Sequence, residues 1–480
     1  MRGWGAERLA GLAGARILRG AAAQGPTGIS IDSRRITGGD LFVGLSGERE
    51  DGGRHWQQAL AAGAWGVLVS PQHARAAADS DGEAVVLSHE EPLQGLQALA
   101  RVWREELRAQ GAKVLAITGS TGKTSTKDIL AALLSAELRT VSSPQNLNTE
   151  IGLPLAILAA PAGTEALVLE MAMRGPGQIA ELTEIADPDV GILVNVGPAH
   201  LELLGSIEAI AAAKAELIAG LKSGAVVVVP ADEPLLAPHL REDLETITFG
   251  PGGDVSVVSA EHLPAGESET VTIRAGEREI ALQPSFQQAH NLVNLLAAVA
   301  AATAIGVTPR GRLDVTFSAM RGQRVELAHQ VVLIDDCYNA NPMSMRAALD
   351  DLFRAAAGKR VAVLGDMLEL GPDGPSLHRE VGRHARDRGV SLLVTVGPLA
   401  RGMAEQFAGD AVAVPDAAVA AELVPTLLGG GETVLVKGSR GVGLERVADA
   451  LKDVFGPATT QGAAAESSPE KRSLTAPGQR

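Results

Sequence analysis

Apolar residues along this chain follow two rhythms. Short, unbroken apolar runs alternate with longer stretches in which apolar positions recur at helical spacing. In residues 1–110 the runs Leu41–Leu45, Gly66–Val69 and Ala84–Leu87 predict strands, set among helices and the Gly/Asp-rich turns of Gly47–Arg54. From 111 to 320 the alternation becomes regular. Val114–Ile117, Ala166–Leu169 and Val190–Val194 predict strands of a parallel sheet covered by helices over Thr126–Leu134 and Ile207–Leu221. Residues 321–456 repeat the pattern with the runs Val331–Ile334, Val361–Leu364, Leu392–Val396 and Val434–Val436. The stretch from 457 to 480 has no apolar periodicity and is expected to be disordered.

Two apolar segments need a decision. Leu292–Val307 contains Asn294 and Thr303, is too short to span a bilayer, and reads as a buried helix. Near the start, Leu9, Leu12 and Ile17 read as the apolar side of a first helix, in preference to an Arg-containing transit peptide.

Composition narrows the picture. A chain of 480 residues exceeds one ordinary core, and 46% hydrophobic content supplies several. The net charge of −15 argues against a nucleic-acid surface, though not against a small phosphate-bearing ligand. The single cysteine, Cys337, cannot form an internal disulfide, which fits a reducing compartment. With no histidine near it in sequence, Cys337 is not read as a nucleophile.

Chemistry is concentrated where the central strands end. Val114–Ile117 runs into Thr118-Gly119-Ser120-Thr121-Gly122-Lys123-Thr124-Ser125 and then a helix. Glycines let backbone N–H groups close around phosphate oxygens, the helix N-terminus favours negative charge, and lysine reaches the outer phosphates. Thr124 is placed to offer its hydroxyl to Mg²⁺. Ile117 stands where the strict pattern has glycine, so this is a variant phosphate loop. The competing reading is an ordinary Gly-rich turn.

Two further strands end at Glu170 and at Asn195, the latter leading to Gly197-Pro198-Ala199-His200. Ligands of open α/β sheets collect beyond the carboxyl ends of strands, so these groups are expected to converge. A carboxylate suits Mg²⁺. His200 is a less usual ligand for that ion, and a loop histidine is more commonly a hydrogen-bonded structural residue. Lys214 lies in the apolar stripe of Ile207, Ile210, Leu217, Ile218 and Leu221. Either it snorkels to water, or it is buried with a lowered pKa and an amine available for chemistry.

Many of these segments, in this order, resemble the Mur ligase family, ATP-dependent amide-bond ligases of peptidoglycan synthesis. The resemblance covers about residues 28–455. It rests on Asp32-Ser33-Arg34 with Gly39-Asp40-Leu41-Phe42, on Thr118 to Lys127, and on Asn146-Leu147-Asn148-Thr149-Glu150-Ile151-Gly152. It continues through Asn195 to His200, Ala213-Lys214-Ala215-Glu216, His290-Asn291 with Asn294, and Arg321-Gly322-Gln323-Arg324. The most specific segments are Asp335-Asp336-Cys337-Tyr338-Asn339-Ala340-Asn341-Pro342, Leu364 to Gly371 (LGDMLELG) and Val436-Lys437-Gly438-Ser439-Arg440. These point to the dipeptide-adding branch.

The resemblance implies an α/β, three-domain architecture. A UDP-sugar domain would span 1–110, a phosphate-loop ATPase domain with a parallel sheet 111–320, and a Rossmann-like ligase domain 321–456. It implies a cytoplasmic monomer that inserts in no membrane. Such an enzyme would join D-Ala-D-Ala to UDP-MurNAc-tripeptide through an acyl phosphate, using ATP and Mg²⁺, and so serve cell-wall growth, cell shape and division. Lys123 and the Gly119–Ser125 loop would hold phosphates, with Thr124 and Glu170 on Mg²⁺. His200 and Lys214, the latter as a carbamate, would hold a second Mg²⁺. Asn291 would face adenine, and Arg324 and Asp336 would reach the nucleotide from the third domain. Ser33, Asp51 and Gly52 would lie on the uridine side. Tyr338, Asn339, Asn341, Lys437, Ser439 and Arg440 would receive the dipeptide.

Departures and rivals remain. The first domain has Asp51-Gly52-Gly53 where Asp-Gly-His is common, with His55 two residues on, and Cys337 stands where serine is common. A ligase adding a single amino acid would share the ATPase core, but the Asp-Asn-Pro-Arg motif of the diaminopimelate-adding enzyme is absent. A folylpolyglutamate-synthase-like ligase would lack the UDP-sugar domain. An ordinary phosphate-loop kinase would not need the YNANP and KGSR segments. A non-catalytic nucleotide-binding module would not need Lys123, Glu170, His200 and Lys214 together. Two α/β domains meeting at one nucleotide are expected to close around the substrates.

Overall fold

The computed structural model describes residues 3–47, 50–144, 146–261, 270–356 and 358–458. Three sheets organise them. The first holds β1 (Arg16–Arg19), β2 (Ile29–Ser30), β3 (Leu41–Val43), β4 (Gly66–Val69) and β5 (Val85–Ser88), in the order β1-β5-β4-β3-β2. Only β1 runs antiparallel to its neighbour. The expected first helix is Ala6–Ala13, which buries Leu9, but it ends at Gly14 (φ 66°). Ile17 therefore belongs to β1 and not to the helix. Glycine tolerates that left-handed geometry and allows the chain to turn back into the sheet. The helix packs on Pro92–Ala109, where Trp4 meets Trp103 edge-on at 5.6 Å.

The central sheet has ten strands: β6 (Lys113–Thr118), β7 (Thr140–Ser142), β8 (Ala166–Glu170), β9 (Val190–Leu193), β10 (Val226–Pro230), β11 (Glu245–Phe249), β12 (Val255–Glu261), β13 (Thr270–Ala275), β14 (Arg278–Pro284) and β15 (Gly311–Leu313). Their order is β15-β14-β13-β12-β11-β10-β9-β6-β8-β7. From β7 to β12 all pairs are parallel, as the strand–helix alternation predicts. Beyond them β12, β13 and β14 form an antiparallel meander that the alternation did not reveal. The burial patterns give the reason. β6 and β8 are covered on both faces and read as continuous apolar runs, whereas β14 alternates buried and exposed residues.

The buried helix expected over 292–307 is Ala289–Ala304, lying against Lys123–Ser135 under the sheet. Its alanines let the backbones approach closely. Its early start brings Asn291 and Asn294, three residues apart on one face, to the phosphate loop.

The third sheet holds β16 (Gln323–Glu326), β17 (Val332–Asp335), β18 (Arg360–Gly365), β19 (Leu392–Val396), β20 (Asp410–Val414) and β21 (Thr433–Lys437), in the order β16-β17-β21-β18-β19-β20. The four apolar runs seen in the sequence are its interior strands. Edge strands β16 and β20 are largely exposed; β16 carries no continuous apolar run, while β20 contains the short run Ala411–Val414. Of the tail expected to be disordered, Pro457 bridges Leu327, and residues 459–480 lie outside those described. Among the described residues no helix is long and apolar enough to cross a membrane.

Candidate active site

The phosphate loop forms where β6 leaves the sheet. Gly122 adopts φ 78°, and a Cβ there would come within 2.6 Å of Asn294 Oδ1, so both conformation and space demand glycine. The helix begins at Lys123, three residues earlier than its apolar pattern predicts, and this places Lys123 and Thr124 in its first turn. The loop is pinned from β9. Asn195 Oδ1 accepts from the backbone N–H of Ser120 (3.1 Å) and Thr121 (3.0 Å), while its amide donates to Thr121 O (3.1 Å). Ser120 Oγ donates to Gly197 O (2.8 Å).

Lys123 Nζ donates to Gly119 O at 2.8 Å. Burial pushes its pKa down, the Glu170 carboxylate opposes that, and Arg321 adds to the depression. Thr124 Oγ1 donates to Glu170 Oε2 and Asn148 Nδ2 to Glu170 Oε1, both at 2.9 Å. Glu170 is 2% exposed and makes no ion pair among the described residues. A buried carboxylate beside a hydroxyl, with no cation of its own, suits a hard divalent ion. No three His, Cys, Asp or Glu side chains gather into a ready-made metal cluster among the described residues. Such an ion would complete its shell from nucleotide phosphates and water.

The structure excludes the snorkelling reading of Lys214. The residue is 2% exposed on the helix Ile207–Gly220, with no ion pair among the described residues, so it does not snorkel. Burial and the charge of Lys123 hold its pKa well below the ordinary lysine value, which favours a neutral, nucleophilic amine. His200 sits at φ 60°, and its Nδ1 lies 2.5 Å from Glu369 Oε2 in the third domain. Burial lowers its pKa, Glu369 opposes the shift, and Lys123 and Lys214 reinforce it.

From the third domain, Asn341 Nδ2 reaches Ser120 O at 3.5 Å, and Met343 packs against Gly197 so tightly that a Cβ there would collide with its sulfur. His290, beside Asn291, pairs with Asp351 at 2.5 Å. Asn291 is buried and accepts from Asn294 (3.1 Å). Other expected groups are engaged differently. Lys437 is buried, with Nζ 2.7 Å from Asp336 Oδ2 and 3.0 Å from Asn339 O, so two expected ligands of different substrates are bound to each other. Ser439 Oγ accepts from Leu368 N at 2.9 Å and is buried. Arg324 is exposed on β16 and donates to Ala355 O (3.5 Å), while Arg321 stacks over Tyr338 at 4.0 Å and acts on Lys123. Arg440 is exposed beside Met320 and Glu445. The thiol of Cys337 is buried and donates to Asp335 (3.0 Å). Burial and that carboxylate push its pKa far up, so it stays protonated.

In the first domain Ser33 Oγ donates to Gln58 Oε1 (2.9 Å), and Asp51 caps the short helix Gly52–His55. His55 pairs with Glu50 instead of Asp51. His73, from the helix Pro71–Ala78, takes Asp51 at 2.6 Å and lowers its pKa. A Cβ at Gly53 would lie 2.5 Å from the His73 ring, so the glycine makes room for it. Asn195, Arg321, Glu369 and His73 were not singled out from sequence. The first three stood inside quoted motifs as polar residues near strand ends, whereas His73 left no local signal.

A phosphate loop, a buried carboxylate and a buried lysine at the carboxyl edge of a parallel sheet, faced by a second α/β domain, define a nucleotide-dependent group-transfer enzyme. Family models cover the chain in three segments: the Mur ligase family catalytic domain over 26–104, the Mur ligase middle domain over 117–302, and the Mur ligase glutamate ligase domain over 320–440. The chain belongs to the Mur ligase family. It is 34% identical to the UDP-N-acetylmuramoyl-tripeptide–D-alanyl-D-alanine ligase of Bacillus subtilis, covering 89% of this chain and 93% of that one. The enzyme of the same name from Escherichia coli K12 is 31% identical over 88% and 93% of the two chains. The fold superposes on MurF from Acinetobacter baumannii with a TM-score of 0.81, at 29% identity over 94% and 99%. It also matches the MurF ligase from Thermotoga maritima in complex with ADP, with a TM-score of 0.75 at 31% identity over 89% and 97%.

Proposed function

We propose that this enzyme joins D-alanyl-D-alanine to UDP-N-acetylmuramoyl-tripeptide, the two substrates in the names of its curated relatives, and that it does so in the cytoplasm at the expense of ATP. The observation that carries the reading is the convergence of Lys123, the Thr124–Glu170 pair and buried Lys214 at one strand edge. A carboxylate is a poor electrophile and needs a leaving group before an amine can displace it. Its oxygen bonds to the γ-phosphorus while the bond to the β–γ bridging oxygen breaks, releasing ADP. The dipeptide amine then adds to the carbonyl carbon and loses a proton, and phosphate departs with its C–O bond.

Lys123 and the backbone N–H groups of Gly119–Ser125 hold the phosphate oxygens and neutralise charge on the transferring group. Thr124 and Glu170 would hold one Mg²⁺. Lys214 Nζ adds to carbon dioxide with release of a proton, and the carbamate together with His200 would hold a second. Bound Mg²⁺ supplies charge neutralisation between the phosphates. Asn291 serves adenine, and Arg324 and Asp336, joined by Arg321, serve the nucleotide from the third domain. Ser33, Asp51 and Gly52 serve the uridine end of the sugar nucleotide. Tyr338, Asn341 and Arg440 receive the dipeptide, while Asn339, Lys437 and Ser439 brace that surface from beneath. The contacts of Asn341 and Met343 across the cleft support closure that keeps water from the acyl phosphate.

ADP release with UDP-MurNAc-tripeptide, comparing D-Ala-D-Ala with single amino acids, tests the substrate. Turnover is expected only with the dipeptide, and turnover with a single amino acid moves the enzyme to an earlier step. Incubation with ¹³C-bicarbonate is expected to give a carbamate resonance that Lys214→Ala lacks.

A further inference from the structure

Three polar groups brace the loop that follows β18. Met367 N donates to His378 Nε2 (2.9 Å), Leu368 N donates to Ser439 Oγ (2.9 Å), and Ser439 N donates to Asp366 O (3.0 Å). His378 is itself fully buried, with Nδ1 2.6 Å from Gly374 O. This bracing holds Glu369 at φ 62°, a conformation that side chains larger than glycine seldom adopt. The loop then docks on the central domain. Glu202 N donates to Glu369 O at 3.1 Å, and Gly371 lies so close to Glu202 that a Cβ would be 3.2 Å from its Cα. Glu369 Oε2 meets His200 Nδ1 at 2.5 Å, across 169 residues of sequence.

We propose that Glu369 is a positioning residue, which takes the Nδ1 proton of His200 as a hydrogen bond and so leaves Nε2 unprotonated toward the nucleotide site. Imidazole has one proton to place between two nitrogens, and a carboxylate accepting at Nδ1 fixes both tautomer and ring plane. His200 by itself, on a loop at φ 60°, has no other carboxylate partner among the described residues. Docking of the third domain thus completes a ligand that the central domain carries but does not orient. The inference rests on the proposed role of His200 as a metal ligand. A simple interdomain ion pair would also place these groups together, but it would set no tautomer.

Glu369→Ala and Glu369→Gln separate the two. Long-range ¹H–¹⁵N correlation of the metal-free full chain, with His200 identified by its loss in His200→Asn, reads the tautomer. The Nδ1–H form is expected in the wild type and in Glu369→Gln, whose amide oxygen still accepts, and a mixture is expected in Glu369→Ala. Manganese titration by electron paramagnetic resonance, with a non-hydrolysable ATP analogue present, reads the site. Glu369→Ala is expected to weaken the second manganese at least about tenfold and leave the first unchanged, with Glu369→Gln within about threefold of wild type. An unchanged tautomer in Glu369→Ala, or equal weakening in both variants, overturns the proposal. A wild type that binds only one manganese sinks the two-metal reading instead, while the metal-free tautomer still judges the Glu369–His200 pair.

Discussion

On the central side of the site, Thr124, Glu170, Asn148, Asn195 and the phosphate loop form one hydrogen-bonded set inside a single domain. On the C-terminal side, Asp336, Asn339, Lys437 and Ser439 direct their polar atoms at one another and at their own loops, and Asn341, Met343 and Glu369 reach across. The first half is held by contacts within one domain. The second is a rigid frame whose contribution depends on where the domain sits. A residue conspicuous in a motif can therefore serve the frame, while its neighbour touches the substrate.

The sharpest break of that contrast is Lys123→Ala. Among the described residues Lys123 donates to one protein group, Gly119 O, so its removal is expected to leave the fold intact. ADP release is expected to fall about a thousandfold or more, as when a preorganised charge-stabilising donor is lost. Activity within tenfold of wild type would remove the central half from the chemistry.

On the other side, Lys437→Met strips the buried partner from Asp336. Urea denaturation is expected to show a loss of about 3 kcal/mol, because the carboxylate stays behind with its charge uncompensated. If Lys437 instead contacts the dipeptide, the KM for D-Ala-D-Ala rises and stability hardly moves.

The smallest effect concerns pH. His378 Nε2 accepts a hydrogen bond, and burial holds its pKa below 6.5, with Asp366 opposing the shift. The unfolded chain binds this proton first as pH falls. The stability contributed by neutral His378 is therefore complete above pH 6.5 and is lost below it, until the depressed pKa is reached, by at most about 1.4 kcal/mol per pH unit. Asp366, whose own pKa burial raises above 3.8, acts in the opposite direction at lower pH. Urea midpoints at pH 7.5 and 5.5 should draw together for wild type and His378→Gln as the pH falls. A constant gap would show that His378 titrates in the fold as it does in the unfolded chain.

Much of this was legible in the chain. Strands covered on both faces announce themselves as apolar runs, so β4, β6, β8 and the interior of the third sheet were readable. The half-exposed meander and the edge strand β16 were not, because their apolar residues alternate or are few, and the apolar run of β20 is short and half alanine. Lys123, Thr124 and Glu170 could be found because strand ends place them within one sheet edge. Ile17 was misplaced because helical spacing continued past Gly14, where the backbone turns.

The sequence by itself determined the strand–helix order, the phosphate loop and the presence of a lysine in an apolar stripe, since these depend on neighbours a few residues apart. Tertiary structure alone decided that Lys214 is buried and without an ion-pair partner, that His73 and not His55 holds Asp51, and that Glu369 meets His200. Each of these sets a pKa, a tautomer or a hydrogen bond through groups distant in the chain, and no local pattern encodes which distant group will fill the space.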